Sequence, residues 1–258
     1  MSNDENDYTD DFAAGLELMW GQGFMSPGGI EEVSLIVQGI DLAGKRLLDI
    51  GSGLGGPAMC LVSRHNASHV TGIDLEPLNV ERARNYSVQD GFSDRLTFIA
   101  VDGGDLPFDD EYFDVVFSKD AITEAPNKDE IFAEAYRVLR PGGWLAMSDW
   151  FRGDAPFTPE MKNWLKVVGV VLEMALIDST AESLVEIGFV DVQIEDRNEW
   201  YRDYSLREVE RMGGEDRARF EAVFGKSTAE EWLSETTLKT EVVAQGQLRP
   251  GHIRARKP

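Results

Sequence analysis

The chain has 258 residues, 42% of them hydrophobic, with 47 acidic residues against 25 basic ones and a net charge of −22. That length buries a full core as one large domain, and the excess of acid disfavours polyanionic partners, so nucleic acid and anionic membrane surfaces are not expected substrates. One cysteine, Cys60, excludes an intrachain disulfide; the three histidines, His65, His69 and His252, lack metal-ligand spacing, so no metal is expected.

The N-terminus, Met1 to Asp7, is polar and acidic, the opposite of a secretion signal, and no apolar run reaches the ~18 residues of a membrane span. A cytoplasmic protein is therefore expected, as a monomer or homodimer. Residues 9–40 read as helical, punctuated by Ser26-Pro27-Gly28-Gly29, with Ile30 to Ile40 amphipathic. Strands and helices then alternate: strand 46–50, helix 56–66, strand 69–74, helix 77–91, strands 96–101 and 113–118, helix 128–139 and strand 144–149. Such alternation predicts a parallel sheet covered on both faces, with ligand at the carboxyl ends of the strands. Beyond Trp150 the pattern predicts a helix over 158–177, a helix 181–187, a strand 189–194, charged helices over 205–245 broken at Gly213-Gly214 and Gly225, and a terminal antiparallel strand 252–256. The expected organisation is an N-terminal helical lid (1–40), a cofactor-binding core (41–153) and a helical insertion with the last strands (154–258) completing the same domain.

The most informative run is Leu47-Leu48-Asp49-Ile50-Gly51-Ser52-Gly53-Leu54-Gly55-Gly56. It reads as a buried strand turning on glycines into a helix, which brings bare backbone and a helix N-terminus up to a ligand. Asp74, at the end of the next strand, is placed to hold ribose hydroxyls. These features predict an adenosine-containing cofactor. The glycines alone also satisfy a dinucleotide pattern, so a nicotinamide cofactor is the rival. Two further acids bear on the choice: Asp49 precedes the glycines, where a carboxylate reaches the cationic end of an amino-acid-bearing cofactor, and Asp102 ends the third strand, where it accepts from an adenine amino group.

With Phe113-Asp114-Val115-Val116-Phe117-Ser118 and Arg137-Val138-Leu139-Arg140-Pro141-Gly142-Gly143-Trp144-Leu145, this succession resembles the class I S-adenosylmethionine-dependent methyltransferases over roughly residues 43–150. The resemblance implies a Rossmann-like α/β fold with a doubly wound, mostly parallel seven-stranded sheet and an antiparallel last strand. It implies S-adenosylmethionine as cofactor and S-adenosylhomocysteine as product. Asp49, Gly51 and Gly53 would surround the methionine part, Asp74 the ribose and Asp102 the adenine, with Leu75 and Gly103 flanking the ring and Ser52 also binding the cofactor.

Asp7-Tyr8-Thr9-Asp10, Trp20 to Gly29 and Ser118-Lys119-Asp120-Ala121-Ile122 look like the phosphoethanolamine N-methyltransferases, and sarcosine/dimethylglycine N-methyltransferases share parts of the pattern. This implies Tyr8 as a lid over cofactor and substrate, Met25 and Ser26 at the methionine end, Ser118 and Lys119 at the cofactor, and Asp120 facing a substrate amine. The chain departs from the phosphobase enzymes at Glu124, where they carry a histidine. A loose alignment also sets Val170 and Leu172 where their phosphate-holding arginine and tyrosine fall. The acids Asp120, Glu124 and Glu173 suit an amine better than a phosphomonoester.

The expected activity is methyl transfer to a small-molecule amine such as an amino acid or betaine precursor. A primary or secondary amine must shed a proton before it attacks, which makes Glu124 and Asp120 candidate bases and Tyr8 a relay. Trp20, Trp150, Trp164 and Trp200 are candidate cation–π walls or simple packing, and Arg152 and Arg197 candidate partners of a substrate carboxylate. Methylation of oxygen, sulfur or carbon, and a cofactor-binding protein without catalysis, are the alternatives.

Overall fold

The computed structural model describes residues 10–168 and 171–258. Seven strands, β1 (Arg46–Ile50), β2 (His69–Asp74), β3 (Leu96–Ala100), β4 (Phe113–Lys119), β5 (Leu139–Arg152), β6 (Val190–Asp196) and β7 (Leu248–Arg256), form one sheet in the order β3-β2-β1-β4-β5-β7-β6. The first five are parallel; β7 runs antiparallel to both β5 and β6. The strand order reverses between β1 and β4, so the crevice of this doubly wound sheet opens beyond the tips of those two strands.

Successive side chains of a strand point to opposite faces, and here both faces are covered. Leu47, Val115 and Phe117 pack with α2 (Gly29–Ile36), α3 (Gly56–Arg64) and α4 (Pro77–Gln89) on one side. Leu48, Val116 and Leu145 pack with α5 (Lys128–Val138) and α7 (Ile177–Ile187) on the other. A second layer of helices, α1 (Asp10–Trp20), α6 (Pro159–Val167), α8 (Asn198–Gly213), α9 (Arg217–Phe224) and α10 (Lys226–Ala244), builds its own cores around Trp164, Tyr201 and Val242 and around Met19, Met212 and Phe220.

The expected helix over 158–177 is corrected. It starts at the Thr158 cap, whose side chain accepts from the Met161 amide, but ends at Val167, and residues 171–176 are not helical. The run Val167-Val168-Gly169-Val170-Val171 explains the stop, because β-branched residues and glycine are poor helix formers. α2 likewise ends at Ile36 rather than Ile40, short of Gly39 with its φ of +83°. β5 runs on to Arg152 and β7 starts as early as Leu248 because they pair with each other over nine residues, Trp144 to Arg152 against Leu248 to Arg256, while the early start of β5 at Leu139 pairs with Phe113 of β4.

Candidate active site

At the tip of β1 the chain turns on Gly51 and Gly53, both in the left-handed region (φ +72° and +51°). The turn is held by Ile73 O of β2, which accepts from Gly51 N and Ser52 N, each at 2.9 Å. A Cβ on Gly51 would overlap the Cβ of Ala121, and one on Gly53 would lie 2.7 Å from Met25 Sδ. Glycine is required here by conformation and by crowding together. Gly56 N donates to Gly23 O at 2.9 Å, so the segment bearing Met25 and Ser26 is laid directly against the glycine loop.

Asp49 stands below this loop, 1% exposed, and neither carboxylate oxygen has a hydrogen-bond partner; the buried Ser52 hydroxyl is also unpartnered. Burial, and then the charge of Asp74, push the Asp49 carboxyl up to about 8. Buried polar groups are nearly always satisfied, and an orphaned carboxylate at a strand tip is the mark of a site that expects donors or a cation.

Asp74 follows at the tip of β2. Its two oxygens accept from Gly53 N (2.7 Å) and Glu76 N (2.9 Å), which fixes the carboxylate beside the loop while leaving lone pairs for further donors. Burial raises its pKa against those hydrogen bonds. Leu75, 68% exposed, and Gly103, whose Cβ would lie 4.0 Å from it, flank the same opening, with the exposed Asp102 beside them.

The tip of β4 is more rigidly committed than the sequence suggested. Ser118 Oγ donates to Ile50 O (2.9 Å) in full burial. Lys119 spends its ammonium on Ser26 Oγ (2.6 Å), Pro27 O (2.8 Å) and Asp120 Oδ2 (2.6 Å). Both side chains join protein to protein: Ser118 fastens β4 to β1, and Lys119 anchors the Ser26 segment. Asp120 has a φ of +56°, a conformation aspartate tolerates, and its Oδ1 accepts from Ser148 Oγ at 2.7 Å.

Glu124 lies on a short 3-10 turn, Ile122–Glu124. Its side chain reaches solvent, yet the protein around it raises its pKa, through burial first and then through the charge of Asp74. Asp120 instead has Asp149 as its acidic neighbour. The two candidate bases thus face different neighbours, Glu124 the acid of β2 and Asp120 the tips of β4 and β5. Tyr8 and Val170 lie outside the described residues.

Trp150 and Trp200 border, with Pro27, Asp120, Ser148 and His252, a cavity of about 10 Å³, near the size of one water molecule. Trp20 and Trp164 are not walls: their indole nitrogens donate to Glu208 (2.7 Å) and Glu235 (2.5 Å) within the helical layer. Arg197 is not available to a substrate carboxylate either, since Glu32 takes it through two 3.0 Å hydrogen bonds. Among residues the sequence reading missed, Asp149 ends the continuous buried run of β5 as Asp49 ends that of β1, and that shared position was a usable signal. Lys128 gave none.

The fold is of the class I methyltransferase type: glycine loop and acids sit at successive strand tips of the 3-2-1-4-5-7-6 sheet, and residues 48–147 match the family model described as a methyltransferase domain. Over nearly its whole length the chain is similar to phosphoethanolamine N-methyltransferases. It is 29% identical to phosphoethanolamine N-methyltransferase 1 of Arabidopsis thaliana over 93% of this chain and 48% of that protein. It is 27% identical to phosphoethanolamine N-methyltransferase 2 of Caenorhabditis elegans over 99% of this chain and 58% of that one. The solved structure of the Haemonchus contortus phosphoethanolamine N-methyltransferase 2, in complex with phosphomonomethylethanolamine and S-adenosylhomocysteine, superposes with a TM-score of 0.91 at 27% identity, covering 99% of this chain and 59% of that one. The chain spans about half the length of the curated relatives it matches. Among the described residues no helix is long and apolar enough to cross a membrane.

Proposed function

We propose that the chain transfers a methyl group from S-adenosylmethionine to the nitrogen of a small amine. The observation that supports this most directly is the buried Asp49 carboxylate with both oxygens unpartnered beside a glycine cradle that no Cβ fits. An α-amino group is the cation such a carboxylate suits. Asp74 would hold the ribose hydroxyls and Asp102 the adenine amino group. Leu75 and Gly103 would flank the ring, and Met25 and Ser26 the methionine end. When bound, this cofactor supplies a methyl group already activated on a sulfonium.

The work left to the chain is to position the amine, exclude water and take a proton. A protonated amine has no lone pair, and Glu124, its pKa raised by burial and then by the charge of Asp74, is suited to accept that proton. Asp120, with Lys119 and Ser148 on its two oxygens, is a fixed acid that favours a cationic substrate rather than a mobile base. Tyr8 is assigned the lid by resemblance alone.

Calorimetry with S-adenosylhomocysteine and product formation across an amine panel test the reading. The panel includes phosphoethanolamine, ethanolamine, glycine and their partly methylated forms. Product from at least one amine is expected. Turnover of hydroxyl, thiol or carboxyl acceptors only, or uptake of a nicotinamide dinucleotide instead, would refute it.

A further inference from the structure

The turn that presents Glu124 is gripped from below by two ionisable side chains, Lys128 and Asp149. Lys128, the first residue of α5, folds its side chain back so that Nζ donates to the carbonyls of Ile122 (2.7 Å), Thr123 (3.2 Å) and Ala125 (3.0 Å). Those carbonyls bracket Glu124. From β5, Asp149 Oδ1 accepts from Thr123 N at 3.1 Å and from Trp150 N at 3.0 Å. Thr123 is 1% exposed and is bonded at every polar atom: its hydroxyl donates to Trp150 O at 3.3 Å, and its carbonyl also accepts from Glu173 N at 2.8 Å.

We propose that Lys128 and Asp149 are positioning residues, which together set where the Glu124 carboxylate stands. A three-residue 3-10 turn makes too few internal hydrogen bonds to hold one geometry alone. Here the Ile122, Thr123 and Ala125 carbonyls and the Thr123 amide all have partners outside the turn, on α5, on β5 or in the segment after α6. The Lys128 ammonium lies among carbonyl dipoles, which accounts for its tolerance of partial burial, with Glu173 supplying compensating charge. Burial, and then the charge of Asp120, hold the Asp149 carboxyl up at about 8, so near neutrality it serves as an uncharged acceptor. An asparagine offers the same Oδ1.

This inference rests on the reading of Glu124 as proton acceptor, and a double-mutant cycle separates the two. Glu124→Gln, Lys128→Met and the double variant are compared for kcat and KM with the best amine, for S-adenosylhomocysteine affinity, and for hydrogen exchange at the 121–125 amides. Lys128→Met is expected to lower kcat about 10- to 100-fold, the cost of a misplaced group, with cofactor-product affinity within about threefold of wild type. Exchange at the turn should rise. In the Glu124→Gln background the same substitution should cost nothing further. Asp149→Asn should keep kcat within about threefold and Asp149→Ala should behave as Lys128→Met, by the same reasoning.

A full Lys128→Met effect in the Glu124→Gln background would overturn the inference, as would unchanged exchange at the turn, or wild-type kcat in Asp149→Ala. If Glu124→Gln alone leaves amine turnover intact, the inference falls while methyl transfer stands. If wild type methylates no amine at all, it is the proposed function that fails, and the exchange measurement still reports whether Lys128 holds the turn.

Discussion

Replacing Asp49 by asparagine should make the protein more stable and worse at its task. The carboxyl is 1% exposed, unpartnered, and raised from 3.8 to about 8 by burial and by Asp74. A group raised in the folded state binds its proton more tightly there than in the unfolded chain. Below pH 4 both states are protonated and the group is neutral to stability. Between pH 4 and 8 the unfolded chain ionises while the folded one does not, so stability falls as pH rises; above 8 the loss is complete and constant. At about 1.4 kcal/mol per pH unit the full interval corresponds to a ceiling of about 6 kcal/mol. Relaxation and the asparagine's own unsatisfied amide reduce this to an expected gain of about 1–3 kcal/mol for Asp49→Asn at pH 8.5. For a chain of this size that raises Tm by roughly 2–10 °C. At pH 4.5 the two proteins should melt together. Calorimetry completes the test. If an α-amino group sits against Asp49, binding S-adenosylhomocysteine near neutral pH must release the Asp49 proton, visible as a buffer-dependent binding enthalpy, and affinity should rise toward pH 8. The variant should bind at least about tenfold more weakly, the loss of a charge-assisted contact. An Asp49→Asn protein that is less stable than wild type at pH 8.5, or that binds the cofactor product equally well, would refute the reasoning.

Three further outcomes are expected. Gly51→Ala forces a Cβ into Ala121 and strains a φ of +72°, so cofactor-product binding should be lost to below detection in calorimetry while the far-ultraviolet circular dichroism stays native. In wild type the kcat/KM for the amine should fall in acid along a limb set by Glu124, whose pKa lies above the ordinary 4.5, because the base works only when deprotonated; Glu124→Gln should abolish that limb along with most of kcat. Glu32→Gln should cost about 2–3 kcal/mol in urea unfolding at pH 7, since it replaces the buried carboxylate shared by Arg197 and His252 with a neutral amide that keeps one acceptor oxygen. Burial pushes the Glu32 carboxyl up, but hydrogen bonds from His252 and Arg197 outweigh it and hold the pKa below 4.5, so this stabilisation is present above that pH and the difference between variant and wild type should shrink as acid protonates Glu32.

What was legible in the sequence was whatever chemistry the backbone had to declare locally. Asp49, Gly51, Gly53 and Asp74 stand at strand ends because a parallel strand ends where its apolar run ends, and the glycines are forced by positive φ and by crowding that only a bare Cα tolerates. The same logic would have found Asp149. Illegible were the features made by side chains that reach across the fold. Glu32 and His252 meet at 2.7 Å from 220 positions apart, through a pairing that only the β5–β7 ladder creates. Lys119 looked like a lysine near a cofactor, yet its three donors are taken by protein groups on both sides of the crevice. The helix expected to run to 177 failed for a reason that was in the letters, a β-branched run around Gly169, outweighed in the reading by the apolar spacing on either side.

These two kinds of feature divide the site unequally. On the proposed reading the cofactor half is built from strand tips and a glycine loop, elements whose positions follow from the sheet itself. On the same proposed reading the acceptor half would be built from a turn and from the segment after α6; Thr123 and Glu173 bond to each other, and Thr123 also to Lys128 and Asp149. Substitutions in the first half should therefore move cofactor affinity, and substitutions in the second should move kcat or the choice of amine with affinity unchanged. On that reading one sheet can serve many acceptors, because the part proposed to select the acceptor is fastened to it by a few hydrogen bonds rather than woven into it.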